Sequence, residues 1–222
     1  MSVNAQLAQG TTIHISGSAA VAEPLTAITL GFPTILAITG HAGVANGDVV
    51  AFANFTGADA ALLNGQTAVV KNYATGATND TFVVDINTVG KTITIGTATA
   101  TPSAWVKLGE VKSIKPTSAS SSDIDVTDLD STAKEFRTGL MDNGSVTLDI
   151  NVLETNTGQA AFLAAFTGST SKNYKITSPA PSNAIRTFAA SVKQFPTIPD
   201  VGVDGVLTGS VGLKISGAIT VS

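Results

Sequence analysis

The side chains that could carry chemistry in this sequence are few and scattered. The chain has two histidines, His14 and His41, and no cysteine, which excludes thiol catalysis, disulfides and cysteinyl metal sites. His14 lies between Ile13 and Ile15, on the opposite face from them, and His41 lies in a Gly-rich turn. Neither has an obvious serine or carboxylate partner for general-base catalysis, so the sequence predicts that the protein is not an enzyme.

A second candidate is the segment Gly90-Lys91-Thr92, which is similar to the end of a phosphate-binding loop. That motif requires a glycine five residues before Gly90, and Asp85 stands there. The segment is better interpreted as a turn that is followed by a strand at residues 92–95.

A third candidate is the acidic run Asp123, Asp125, Asp128 and Asp130. A calcium loop places its acids at alternate positions, followed by a glycine and a distal glutamate. Thr127 breaks that spacing and no glycine follows. The run therefore favours a solvated or interface-lining acidic loop over a calcium site, and the sequence predicts no metal and no cofactor.

Composition narrows the functional classes further. The net charge of −4, with only 13% charged residues, argues against a basic patch that grips nucleic acid. The N-terminus lacks a basic segment followed by an apolar run, so we expect no secretory signal and synthesis in the cytosol. Residues 24–47 carry no charged side chain, but prolines and glycines interrupt them, so we expect no membrane span.

Threonine, valine and glycine predominate over helix-favouring residues, which predicts a mainly β protein. The clearest strand is at the C-terminus, where Val211, Leu213, Ile215, Gly217, Ile219 and Val221 alternate with mostly polar or small residues. Asn143-Gly144 is typical of a type I′ turn, so residues 135–141 are predicted to pair with residues 145–152. One short helix is predicted over residues 159–166, with Asn156 as its cap, Gln159 in a capping box and Gly168 as its end.

The chain also divides by composition. Residues 24–101 contain few charges, whereas residues 102–222 carry most of the charge and the predicted helix. We interpret residues 24–101 as a small all-β domain inserted into a discontinuous domain made of residues 1–23 and 102–222.

Two motifs in the second part carry a resemblance to a known family. The sequence WVKLGEVKSI at residues 105–114 is followed by DVTDLDSTAKEFRTGLMDNG at residues 125–144, and LKISG stands at residues 213–217. Together with the first strand at residues 10–15, this order resembles the tail tube proteins of lambda-type phages with long, non-contractile tails. The insert itself, with NGDVV at residues 46–50 and LNGQT at residues 63–67, is similar to small β domains found in phage structural proteins.

The resemblance implies a fold of two packed antiparallel sheets, a sandwich or barrel, with one flanking helix. It also implies hexameric rings that stack into a hollow tube, through which DNA passes without specific binding. The expected location is the virion, after assembly in the host cytoplasm, and the expected partners are tape measure, tail tip and terminator proteins. The insert would then lie on the tube exterior, because it would block the bore.

The loop over residues 116–130 resembles the long loop by which this family contacts neighbouring subunits. We therefore expect a subunit interface formed by nine residues: Ile124, Val126, Asp128, Leu129, Asp130, Lys134, Glu135, Phe136 and Arg137. The alternative for each is a contact within one monomer.

Two other functions remain open at this stage. One is a tube protein of a contractile tail or secretion apparatus, which shares the fold but binds a sheath. The other is a monomeric glycan-binding module, which the sparse aromatic residues disfavour.

Overall fold

The structure is a computed structural model that describes residues 9–40, 43–202 and 205–222. Within those ranges the chain forms fifteen strands, one α-helix and a short 3-10 helix at Ala60–Leu62. The strands are β1 Thr12–Ala19, β2 Glu23–Thr29, β3 Thr34–Thr39, β4 Val49–Ala53, β5 Thr67–Val69, β6 Lys71–Ala74, β7 Asn79–Val84, β8 Thr99–Lys107, β9 Val111–Pro116, β10 Ser120–Asp125, β11 Phe136–Asp142, β12 Ser145–Asn151, β13 Ser171–Thr177, β14 Ile185–Gln194 and β15 Thr208–Val221, and the helix is α1 Thr157–Thr167.

Strand pairing confirms a mainly β fold with one α-helix in the described part of the chain. Thirteen strands belong to one sheet, and β10 and β11 form a separate two-stranded sheet. The chain divides into two compact units. The first unit comprises Met1–Lys107, Asn173–Thr187 and Thr220–Ser222, and the second comprises Leu108–Lys172 and Phe188–Ile219.

The first unit contains the strand order β6-β7-β3-β2-β8-β1-β13, with β4 paired to both β5 and β8. In β1, Ile13 and Ile15 are buried, and His14 lies between them in the alternating pattern, as predicted. His14 is directly opposite Lys175 on β13 and Lys107 on β8. Two lysines therefore flank the histidine across the sheet.

One hydrophobic cluster of the first unit is built from the middle of the chain. Its buried members all fall between residues 25 and 100, and the largest of them include Phe52, Phe82, Leu36 and Leu63. The strands at the two ends of this segment pair with each other, with Glu23 opposite Ala100 and Pro24 opposite Thr99. The segment thus has its own core and closely spaced ends.

The second unit contains the strand order β14-β15-β12-β9. Val146, Leu148 and Ile150 of β12 are buried, and each intervening residue is partly exposed. The C-terminal alternation is confirmed as strand β15, in which Val211, Leu213 and Ile215 are buried. The buried face ends there, because Gly217 adopts a positive φ and Ile219 and Val221 are exposed.

The predicted helix is confirmed with its cap at Asn156 and its end at Gly168, although it begins at Thr157, two residues earlier than predicted. Asn156 caps α1 by accepting a hydrogen bond from the backbone N–H of Gln159, and Gly168 follows its last residue. Gln159 does not complete a capping box, because its side chain accepts from Leu153 N–H and donates to the Asn151 carbonyl. Along this helix Phe162 is buried, Phe166 is half-buried and Leu163 is exposed.

The predicted hairpin around Asn143-Gly144 is wrong. Strand β11 pairs with β10, while β12 pairs with β9 and β15. A type I′ turn needs positive φ at both central residues, and only Gly144 has it. A side chain at Gly144 would approach the Thr117 carbonyl to 2.6 Å, so the glycine permits β9 and the turn to lie close together instead.

Two smaller predictions also differ from the structure. Residues 116–130 were expected to be a loop, but Ser120–Asp125 within them forms β10 because β11 provides a partner strand. The strand expected at residues 92–95 is reduced to an isolated bridge between Thr56 and Thr94.

Candidate subunit interface

The two-stranded sheet of β10 and β11 carries the residues that the sequence singled out. Ile124 pairs with Arg137, and Asp125 pairs with Phe136 on the alternate face. The register shifts between Ser121 and Asp123. Ile124 and Phe136 therefore lie on opposite faces of this ribbon, so apolar side chains occupy both faces.

Local hydrogen bonds fix the connection between the two strands. The Asp125 carboxylate accepts from the backbone N–H and the hydroxyl of Thr127, and these bonds lower the pKa of Asp125. Asp128 accepts from Asp130 N–H and from the Ser131 hydroxyl. These acids serve as turn-forming residues, and no cluster of potential metal ligands occurs in the described residues.

The apolar side chains of this ribbon are exposed in the single chain. Leu129 and Leu140 are almost entirely open to solvent, and Phe136 is 56% exposed. Four of the predicted interface residues, Ile124, Val126, Leu129 and Phe136, belong to this exposed set, and Leu140 and Met141 extend it. Exposed apolar side chains in such number are typical of a surface that is covered by another chain.

The charged members of the predicted interface are exposed as well. None of these five residues forms an ion pair within the described ranges: Asp128, Asp130, Lys134, Glu135 and Arg137. They are brought together on one exposed ribbon but do not compensate one another there.

The base of the ribbon is fixed to the second unit. Asp142 forms an ion pair with Lys214 of β15 at 2.6 Å and accepts from Gly144 N–H, and both interactions lower its pKa. Asn143 donates its side-chain N–H to the Gly217 carbonyl. The ribbon is thus held at its base while its remaining length projects apolar groups.

A groove on the second unit was not predicted from the sequence. Its lining includes Lys112, Ser113 and Lys115 of β9, Asp149 of β12, Asp200, and Thr208 of β15. Lys115 and Ser113 both contact the Asp149 carboxylate, at 2.6 and 2.7 Å, and these contacts lower the pKa of Asp149. The presence of two lysines in β9, Lys112 and Lys115, was the available sequence signal, but the pairing of β9 with β12 could not be foreseen.

A buried polar cluster in the first unit was also missed. Asp48 accepts from Trp105 Nε1 at 2.7 Å, from Lys175 Nζ at 2.9 Å and from Ala45 N–H at 2.9 Å. The Lys175 ammonium also lies 4.6 Å from the centre of the Trp105 ring. These residues are far apart in sequence, so no local pattern marks them.

The remaining sequence candidates are not assembled into a site. Gly90 forms a turn with a positive φ, and Lys91 pairs with Asp59. His14 Nδ1 is buried without a hydrogen-bond partner among the described residues, and burial and the two flanking lysines lower the pKa of His14. His41 lies outside the described residues.

Within the described residues, none of the helices has the length and apolar character needed to cross a membrane.

Comparisons with known proteins complete the description. The family model described as "Lambda phage tail tube protein, TTP" matches residues 91–222. No curated protein matches the chain. A chain of the solved structure described as "Cryo-EM structure of the anti-feeding prophage (AFP) baseplate, 6-fold symmetrised" is 10% identical, with a TM-score of 0.36 over 82% of this chain and 97% of that chain.

Proposed function

Because this chain belongs to the lambda phage tail tube protein family, we propose that it is the subunit of hexameric rings that stack into a hollow tail tube. Membership makes it a structural component of a phage virion. The proposed rings would assemble in the host cytoplasm with tape measure, tail tip and terminator proteins.

The observation that carries this proposal is the exposed β10–β11 ribbon. A two-stranded sheet alone is marginally stable in water, and this one exposes Ile124, Leu129 and Phe136. Burial of such side chains against neighbouring subunits would supply roughly 1.5–3 kcal/mol for each one fully covered. The same burial would explain why the sequence retains apolar residues at these positions.

The bore is proposed to conduct DNA without gripping it. The chain carries a net charge of −4, and an acidic surface repels phosphate rather than binding it. Such a surface would let the genome slide through the tube.

Residues 24–101 are proposed to be an inserted domain on the tube exterior. Support comes from its own hydrophobic core and from the pairing of its ends, Pro24 with Thr99. An insert of this size in the bore would obstruct DNA.

Self-assembly of purified protein tests the proposal. We expect hollow tubes or stacked rings in negative-stain electron microscopy as the protein concentration is raised. Leu129→Asp should abolish them, because it places a charge where an apolar contact forms. Val89→Asp is the matched control, since Val89 is a similarly exposed apolar residue outside the ribbon.

Monodisperse particles of the natural sequence at every concentration would contradict the tube function. Normal tubes formed by Leu129→Asp would contradict the role of the ribbon.

A further inference from the structure

A stack of identical rings requires two different surfaces on each subunit. Such head-to-tail contacts are heterologous, so one patch of a chain meets a different patch of the next copy. The ribbon supplies one patch, with Leu129 at its exposed end. A second, complementary patch is therefore expected elsewhere on the same chain.

The β9 groove has the properties that this second patch requires. Strand β9 ends the strand order of the sheet, so its outer edge faces no other described strand. The groove is an open depression of about 500 Å³. Val201 and Leu207, which are exposed apolar residues, are the chain neighbours of its lining residues Asp200 and Thr208.

The charges of the groove are only partly compensated within the chain. Asp149 is paired with Lys115 and is also stabilised by the charge of Lys112, but neither Lys112 nor Asp200 forms an ion pair in the part of the chain that the structure describes. The end of the ribbon carries the opposite signs, with Asp128 and Asp130 beside Leu129 and with Lys134 a few residues on. The two groove charges without an ion pair, Lys112 and Asp200, can therefore find a partner on the ribbon of another copy.

We propose that the groove formed by β9, β12 and the start of β15 receives the end of the β10–β11 ribbon of a second copy of this chain. Leu129 contacts the exposed Val201 and Leu207, Lys112 pairs with Asp130, and Asp200 pairs with Lys134. The inference rests on the proposed tube function and names the surface through which the subunits join.

Disulfide trapping tests this contact cleanly because the chain has no cysteine. The double variant Lys112→Cys with Asp130→Cys is assembled, oxidised and separated by non-reducing electrophoresis. A heterologous contact links each copy to the next, so we expect a ladder from dimer upward that collapses to monomer on reduction. The two single variants are the controls, and each can give no product larger than a dimer.

Charge reversal provides a second test if the cysteine pair disturbs folding. Lys112→Glu alone and Asp130→Lys alone should raise the protein concentration needed for assembly at least about tenfold, and the two together should restore it. Lys193→Glu is the matched control for Lys112→Glu. Lys193 is an exposed lysine of β14, and its substitution changes the net charge by the same amount.

The outcomes separate the two proposals. If the natural sequence forms tubes but the double cysteine variant yields no ladder, or if the combined charge variants do not recover, the groove is the wrong surface and the tube function stands. If the natural sequence forms no tubes, the proposed function fails and this inference fails with it.

Discussion

At the scale of single residues, Asp48 is the most informative position in the first unit. Its carboxylate is buried and compensated by the Lys175 ammonium, the Trp105 indole N–H and a backbone N–H. Gly47 beside it has a positive φ, and a side chain there would meet Ile185 at 2.4 Å. Asp48, which belongs to the proposed insert, thus contacts β8 through Trp105 and β13 through Lys175. Unlike a surface ion pair, these contacts are made to a buried carboxylate.

Removal of the Asp48 charge should destabilise the protein strongly. Asp48→Asn leaves the Lys175 ammonium buried without its counter-charge, which costs about 3–5 kcal/mol. We expect the free energy of unfolding in urea to fall by that amount.

Asp85→Asn is the control for this prediction, because Asp85 pairs with Lys71 at an exposed site. It should change the stability far less. Equal effects of the two substitutions would show that the Asp48 cluster has no special role in stability.

His14 predicts a dependence of stability on pH. Burial, and then the charges of Lys175 and Lys107, lower the pKa of His14 in the folded chain from its ordinary value of 6.5. Asp48 forms an ion pair with Lys175, which lies opposite His14 in the sheet. Below about pH 6.5 the unfolded chain therefore takes up a proton that the folded chain resists, so stability falls as the pH decreases through this range.

His14→Gln should flatten this dependence. Urea denaturation between pH 7.5 and pH 5 measures this dependence. The uptake of one proton can lower the free energy of unfolding by at most roughly 1.4 kcal/mol per pH unit, and the natural sequence should lose a part of that amount. The lowered pKa values of Asp125, Asp142 and Asp149 act only below their ordinary value of 3.8, so they do not contribute in this range. Identical pH profiles for the two proteins would exclude His14 as the cause.

At the scale of elements, the helix α1 depends on one capping side chain. Asn156→Ala removes the acceptor for Gln159 N–H and should cost about 1 kcal/mol of unfolding free energy. Asn156→Asp keeps an acceptor and should be nearly neutral, and Thr155→Ala, one residue earlier and exposed, should have almost no effect. A urea series of the three variants measures the cap, and equal midpoints would mean that the cap adds nothing.

The β10–β11 ribbon differs from α1. Its own hydrogen bonds fix its local conformation, but they do not bury its side chains. The turn bonds of Asp125 and Asp128 are local, whereas its apolar side chains remain exposed in the single chain. A substitution such as Leu129→Asp should therefore alter assembly without altering the stability of the single chain. This separation of assembly from stability distinguishes an interface residue from a core residue.

At the scale of the whole molecule, the proposed exterior position of residues 24–101 can be tested by labelling. Val89 is exposed, and the natural chain has no cysteine, so Val89→Cys provides a single thiol for a biotin reagent. Assembled tubes of this variant should bind streptavidin along their outer surface in electron micrographs. Unmodified tubes are the control, and efficient biotin labelling without streptavidin binding would contradict the exterior position.

Features that depend on near neighbours in the chain could be predicted from the amino-acid sequence. The cap of α1, its end at Gly168 and the buried alternation of β12 and β15 arise from hydrogen bonds and side-chain periods that span only a few residues. The motifs of residues 105–144 likewise identified the family correctly, because they are contiguous in the chain.

The choice of strand partners and of ion-pair partners, in contrast, depends on contacts between distant segments of the chain. Strand β11 pairs with β10 although the turn sequence favours β12, and Asp48 meets Trp105 and Lys175, which are 57 and 127 residues away. Local propensities are nearly equal for alternative strand partners, so the choice depends on the burial and hydrogen bonding that distant segments supply together. The exposure of Leu129 and Phe136 follows from the same cause, because an apolar side chain is buried only where the rest of the fold provides a surface to cover it.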